Sequence, residues 1–317
     1  MTRPLLSLDA LLAQPDHWTV LEASATGLRE PFAAGHLPGA RLADLVNQLS
    51  DPTAPFPYTR PDAQAFTTAM RALGVSNQRK VVIYDRENGI WAARVWWLLK
   101  SFGHSQVFVL EGGLRAWLAR GLALNTTPAA NSPGDFTAVD TPGYFVDRAY
   151  VQQVVAGQHN ARLLNVLRRP VFRGEESKYA RPGHIPTSLN LPYIELIDPH
   201  THTFIPHPAL LATLRPFIER PQVEWVLYCG SGITAAGFAL ALAIVVHGFG
   251  VHNPILGYAL LFATALMTIN QAFFQVVSMA TTAGFTTDSN AHSAPAMKIP
   301  IPSRITGRRP TRSDIGP

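Results

Sequence analysis

Residues 225–236 read Trp225-Val226-Leu227-Tyr228-Cys229-Gly230-Ser231-Gly232-Ile233-Thr234-Ala235-Ala236. An uninterrupted apolar run of this length, bounded by turn residues, predicts a buried strand of a parallel sheet. The strand ends at a cysteine. Gly230 and Gly232 then let the backbone curl tightly, and a helix is expected to start near Ile233. A strand, a glycine-rich turn and a helix N-terminus gather several backbone N–H groups around one point. Those donors and the helix dipole favour a thiolate, which is the nucleophilic form of cysteine. A buried structural cysteine is the competing reading; glycines and a helix start directly after Cys229 weigh against it. A phosphate-binding cysteine loop would need an arginine to grip its ligand bidentately. Gly232-Ile233-Thr234-Ala235 offers none.

The pattern recurs in the first half of the chain. Val81-Val82-Ile83-Tyr84 matches the strand before Cys229, and the string Ala34-Gly35-His36-Leu37-Pro38-Gly39-Ala40 matches Pro182-Gly183-His184-Ile185-Pro186-Thr187-Ser188. Each string follows an apolar run, at 18–21 and 162–167. Helical spacing is expected over 62–73, 89–102 and 113–120. Strands alternating with helices predict an α/β chain with two similar parallel-sheet domains. The expected organisation is a first domain over 1–124, a Pro- and Gly-bearing linker over 125–143, and a second domain over 144–253.

At 317 residues and 47% apolar composition, the chain is long and apolar enough for two cores. The net charge of +5 is small and concentrates in the last twenty residues, where Lys298, Arg304, Arg308, Arg309 and Arg312 face one acid, Asp314. Nothing in this balance points to nucleic acid. A single cysteine excludes an internal disulfide framework and a CxxC metal site. It also fits a reducing, cytoplasmic setting, and the N-terminal residues do not read as a signal peptide.

With these residues in view, the stretch 1–253 resembles the rhodanese family. The resemblance rests on Cys229-Gly230-Ser231-Gly232-Ile233-Thr234, on both Gly-His-Leu/Ile-Pro strings, on Arg94-Val95-Trp96-Trp97, and on Glu111-Gly112-Gly113-Leu114. It implies tandem rhodanese domains and sulfur transfer. Cys229 would take a sulfane sulfur from a small donor as a persulfide and pass it to cyanide or a thiol, with Gly230, Ser231, Gly232, Ile233 and Thr234 as the active-site loop. No cofactor and no metal are implied. The uncharged loop is more like that of the mercaptopyruvate type than of the thiosulfate type. The donor is therefore expected to be 3-mercaptopyruvate ahead of thiosulfate, with Arg173 and Arg181 as candidate anchors for its carboxylate. Asp85 stands where the first domain would carry its cysteine, so that domain is expected to be inactive. His36 is a candidate partner for Ser231, though holding its own turn is the preferred role.

The chain departs from the family pattern at Asn165 and Leu167, where an acid and an arginine are usual, and at Val171, where an arginine is usual. After Asn253 the resemblance stops. Residues 225–287 contain no Asp, Glu, Lys or Arg. Residues 254–287 resemble the pore helix and filter segment of Trk/Ktr potassium transporters, through Thr281-Thr282-Ala283-Gly284-Phe285-Thr286-Thr287. A filter needs four such loops, so transport is not expected. The fifteen apolar or small residues from 255 to 269 fall short of a bilayer span. They are expected to form a helix covering the second domain, followed by a disordered basic tail over 288–317. Membrane association through 254–287 is the disfavoured alternative. A degenerate, inactive binding module remains the other.

Overall fold

The computed structural model describes residues 3–25, 29–127, 129, 132–176, 182–220, 223–252 and 274–277, with 248–252 and 274–277 described as backbone only. The expected helix at 255–269, the filter-like string, the tail at 288–317 and Arg181 all lie outside the described residues.

The first half runs β1 (Leu5–Leu6), α1 (Leu8–Ala13), β2 (Trp18–Ser24), α2 (Arg29–Ala34), β3 (Arg41–Asp44), α3 (Ala63–Ala72), β4 (Lys80–Tyr84), α4 (Ile90–Ser101), β5 (Val107–Leu110) and α5 (Gly113–Ala119). The second runs α6 (Arg148–Val155), β6 (Ala161–Asn165), α7 (Arg169–Arg173), β7 (Leu189–Asn190), α8 (His207–Ile218), β8 (Glu224–Tyr228), α9 (Ile233–His252) and β9 (Phe274–Val277). Two sheets result, ordered β1-β5-β4-β2-β3 and β7-β6-β8-β9, and every pairing is parallel. β2 is buried at every residue, as a strand covered on both faces requires. Within residues 254–287, whose sequence resembles a transporter pore segment, the described stretch 274–277 is a strand in parallel register with β8, Tyr228 opposite Val277.

The repeat is visible in register and in side chains. Glu22 lies opposite Tyr84 on β2 and β4, and Asn165 opposite Tyr228 on β6 and β8. In each half the Gly-His string clasps the strand-end tyrosine. The Leu37 N–H donates to the Tyr84 hydroxyl at 3.1 Å and the Ile185 N–H to the Tyr228 hydroxyl at 3.0 Å. His36 Nδ1 pairs with the Phe32 carbonyl and stacks on Phe32; His184 repeats this with Phe172. The histidines thus fix the turns that close over the tyrosines.

α4 and α9 are buried nearly all round, which suits helices with a sheet on one side and another helix on the other. They pack against each other, and one hydrophobic cluster runs from β2 and β4 through both helices to β6 and β8. Each large apolar side chain buried there contributes about 1.5–3 kcal/mol. Gly237 lets α9 approach closely, since a Cβ there would sit 2.6 Å from Tyr193 Cε2.

The stretch expected as a linker is fastened to the first half along residues 132–141. Phe136 is buried against Phe66 and Phe102. Phe136 N–H donates to Val75 O at 3.1 Å, Val139 N–H to Phe102 O at 3.1 Å, and Thr141 N–H to Ser101 O at 2.9 Å. Among the described residues no helix is long and apolar enough to cross a membrane.

Candidate active site

Cys229 sits at the C-terminal end of β8, where parallel α/β sheets place their ligand crevices. It is buried, at 6% exposure, immediately before the N-terminus of α9. Gly232 adopts φ +78°, a left-handed conformation open mainly to glycine. This curl turns the Gly232 N–H back onto the cysteine, and it donates to Sγ at 3.1 Å. The Gly232 carbonyl then accepts from Ala236 N–H, joining the loop to the helix. Gly230 and Ile233 are buried, whereas Ser231 and Thr234 are half-buried and form the loop's more open side. No charged residue lies between Tyr228 and Ala236.

The equivalent turn of the first half shows what the loop does when no sulfur is present. Asp85 is buried, and its carboxylate accepts four backbone N–H groups, from Glu87 and Gly89 on Oδ1 and from Trp91 and Ala92 on Oδ2, all within 3.0–3.1 Å. Burial pushes the Asp85 carboxyl up, and the four donors oppose that shift. The nest is therefore filled by an oxygen anion that cannot form a persulfide. Replacing Asp85 by Ala leaves those donors unpaired in the core. The expected outcome is a loss of at least about 3 kcal/mol in denaturant unfolding, with sulfur transfer per folded molecule kept.

Glu22 and Arg86, which sequence reasoning did not single out, explain the departure at Asn165. Glu22 is fully buried, accepts from the Tyr84 hydroxyl, and pairs with Arg86 Nε at 2.5 Å. Burial and the adjacent Glu22 push the Tyr84 hydroxyl well above its ordinary value. Arg86 directly follows Asp85; the residue directly after Cys229 is Gly230. With no cation there, an acid opposite Tyr228 would be buried without a partner. Asn165 is neutral. Its Oδ1 accepts from Leu167 N–H at 3.0 Å, and its carbonyl accepts from Asn190 Nδ2 at 3.0 Å. The Tyr228 hydroxyl donates to Ser188 Oγ at 2.8 Å. Asn165 is thus locally satisfied.

Of the two candidate carboxylate anchors, Arg173 ends α7, is exposed, and forms a bidentate pair with Glu175 at 2.6 and 2.9 Å. That pairing raises the Arg173 guanidinium above its ordinary value. A different cation, Arg94 on α4, is 1% exposed and lies near enough to Cys229 for the two charges to interact. It entered the sequence reading only as part of a family-like string. An arginine within the otherwise apolar run Ile90–Leu99 was the signal available. Among the described residues, no cluster of His, Cys, Asp and Glu could hold a metal ion.

Two parallel α/β halves, of which one presents a cysteine in a backbone nest and the other an aspartate, define a tandem rhodanese-like protein. A rhodanese-like domain model matches residues 10–120, the half with Asp85. A probable 3-mercaptopyruvate sulfurtransferase of Pseudomonas aeruginosa is 36% identical over 251 residues, 74% of this chain and 87% of the relative. A putative thiosulfate sulfurtransferase, SseB, of Mycobacterium tuberculosis is 32% identical over 217 residues, 68% of this chain and 76% of the relative. The crystal structure of the 3-mercaptopyruvate sulfurtransferase SseA from Escherichia coli superposes with a TM-score of 0.68 at 30% identity, covering 77% of this chain and 95% of that one. The chain belongs to the rhodanese-fold family of 3-mercaptopyruvate sulfurtransferases, and it is a sulfurtransferase enzyme. The potassium-transporter resemblance of residues 254–287 finds no support in these matches.

Proposed function

We propose that Cys229 is the sulfur carrier, that 3-mercaptopyruvate is its preferred donor, and that cyanide or a small thiol is its acceptor. The observation that carries this reading is the Gly232 N–H held 3.1 Å from Sγ in a loop without charged residues. A charged loop would suit a dianionic donor such as thiosulfate; a neutral one with a serine hydroxyl suits a carbonyl thiol. The Cys229 thiolate attacks the donor sulfur. The Sγ–S bond forms as the donor C–S bond breaks, and the bonding pair passes to carbon as the enolate of pyruvate. Protonation of that enolate carbon gives pyruvate. The acceptor then attacks the outer sulfur, takes it, and returns the electron pair of the S–S bond to Sγ as thiolate. The Gly232 N–H aimed at Sγ stabilises the anion at the start and end of this cycle.

Arg173 and Arg181 remain the candidates for the donor's carboxylate. Arg173 would have to exchange Glu175 for substrate. A cytoplasmic setting fits a single free cysteine.

The test is steady-state transfer to cyanide with both donors on the full chain, beside the variants Arg173→Ala and Arg181→Ala. 3-Mercaptopyruvate is expected to exceed thiosulfate in kcat/KM. Arg181→Ala is expected to raise the KM for 3-mercaptopyruvate about tenfold or more, the scale of one lost charged hydrogen bond. Preference for thiosulfate, or an unchanged KM in both arginine variants, overturns the donor assignment.

A further inference from the structure

Arg94 is buried within a core that gives it almost nothing to bind. Its Nη2 donates to the Tyr58 carbonyl at 2.8 Å, while Nε and Nη1 have no hydrogen-bond partner among the described residues. No carboxylate among the described residues pairs with it. The nearby Arg60 differs, because Arg60 pairs with Asp140. The aromatic face of Phe145 lies 5.4 Å from the Arg94 guanidinium carbon and 5.1 Å from that of Arg60, a weak substitute for an anion. An uncompensated buried guanidinium costs several kcal/mol, so a packed core would be more stable with an apolar side chain there.

The position of Arg94 in the repeat says where its charge is directed. It lies five residues after Gly89, as Gly237 lies five after Gly232. These two residues therefore occupy the same turn of α4 and α9, the helices that pack against each other between the two sheets. α9 begins at the nest around Cys229. The second half carries Gly237, not a cation, at the equivalent place. Burial lowers the Arg94 guanidinium to about 10, a negative charge on Cys229 opposes that shift, and the charge on Arg60 adds to it. Of the two charged groups that act on Arg94, Cys229 is the one whose charged form has the opposite sign.

We propose that Arg94, supplied by the half that has no cysteine, is the counter-cation of the anionic sulfur on Cys229. It is a positioning residue that stabilises thiolate and persulfide through space across the α4–α9 contact, in addition to the backbone donors of the loop. The half bearing Asp85 thereby serves the reaction with a charge while its own nest stays occupied. This inference rests on Cys229 being the sulfur carrier.

The experiment compares the wild type with Arg94→Met, Arg94→Lys, Arg94→Ala and Cys229→Ser as full chains. Folding is followed by thermal unfolding, and Cys229 by its rate of alkylation with iodoacetamide and by single-turnover persulfide formation read by mass. Arg94→Met fills the same space without charge and is expected to fold with equal or higher stability. Its alkylation rate and persulfide formation are expected to fall, with both donors, on the order of tenfold to a hundredfold. Arg94→Lys is expected to recover most of this loss, and added guanidinium to restore part of it in Arg94→Ala. A purely structural role moves stability and not these rates. A folded Arg94→Met protein that alkylates and loads within about twofold of wild type overturns the inference, as does an Arg94→Lys no better than Arg94→Met. If Cys229→Ser still transfers sulfur, the carrier assignment itself fails. If Cys229→Ser is inert and Arg94→Met fully active, only the role of Arg94 falls.

Discussion

Cys229→Ser is expected to remove sulfur transfer from every donor while leaving the fold intact. The substitution exchanges one atom in a site that is already buried and polar-lined, so the Gly232 N–H keeps an acceptor, now the serine oxygen. Volume changes little, and α9 keeps its start. Stability should stay within about 1 kcal/mol, as small volume-conserving swaps do. The chemistry has no such tolerance. A hydroxyl at this position is weakly acidic and hard, and His36 and His184 are both occupied with the carbonyls of their own turns. An O–S linkage would also be a poor substitute for a disulfide-like bond that an acceptor must cleave. As the chain has no second cysteine, no other residue can take over the carrier role. Thiocyanate formation should fall to background with either donor, and the mass of the donor-treated variant should show no added sulfur. A gain of one sulfur on the serine protein would remove Cys229 from the mechanism.

The extent to which this site is legible in the chain depends on the range of the interactions that build it. The strand, turn and helix around Cys229 are written in a dozen consecutive residues; β8 ends at Tyr228 and α9 starts at Ile233, as that string predicts. Asp62 caps α3 through Ala65 N–H at 2.7 Å, another local signal. The pairs that tune the site are not local. Glu22 meets Tyr84 and Arg86 only because β2 and β4 adopt one particular register, across more than sixty residues of chain. Without that register, Asn165 looks like a lost acid; with it, Asn165 is the neutral residue suited to a loop whose next position is Gly230 rather than arginine. Arg94 is hidden for a similar reason. On a helix with tryptophans on two faces, a lone arginine reads as the exposed edge, and only the packing of α4 on α9 shows that no face is exposed. Proline and glycine in the stretch 125–143 suggest an interdomain linker, whereas Phe136 and backbone hydrogen bonds from Gly134, Phe136, Val139 and Thr141 tie it along the first half.

Gly232→Val is expected to reduce sulfur transfer on the order of a hundredfold while lowering the unfolding temperature by only a few degrees. The argument turns on one dihedral angle. At φ +78° a β-branched side chain clashes with its own backbone, at a cost of about 1–3 kcal/mol. The loop has two ways to accommodate that cost. It can hold its shape and lose stability by that amount, or relax residue 232 to negative φ. The second route is open because the neighbouring Ser231 is only half-buried. Relaxation swings the N–H of residue 232 off Sγ, removing the donor now 3.1 Å away, and tilts the first turn of α9 through the Gly232 carbonyl bond to Ala236. The thiolate then loses its hydrogen bond and its alignment with the helix dipole together, which is why activity should fall further than stability. A graded series separates backbone geometry from side-chain bulk. Asn visits the left-handed region at small cost, Ala at moderate cost and Val at the greatest. Activity should therefore fall in the order Gly, Asn, Ala, Val, even though Asn is larger than Ala. If activity follows side-chain volume instead, with Asn below Ala, the left-handed turn is not what aims the N–H at Cys229.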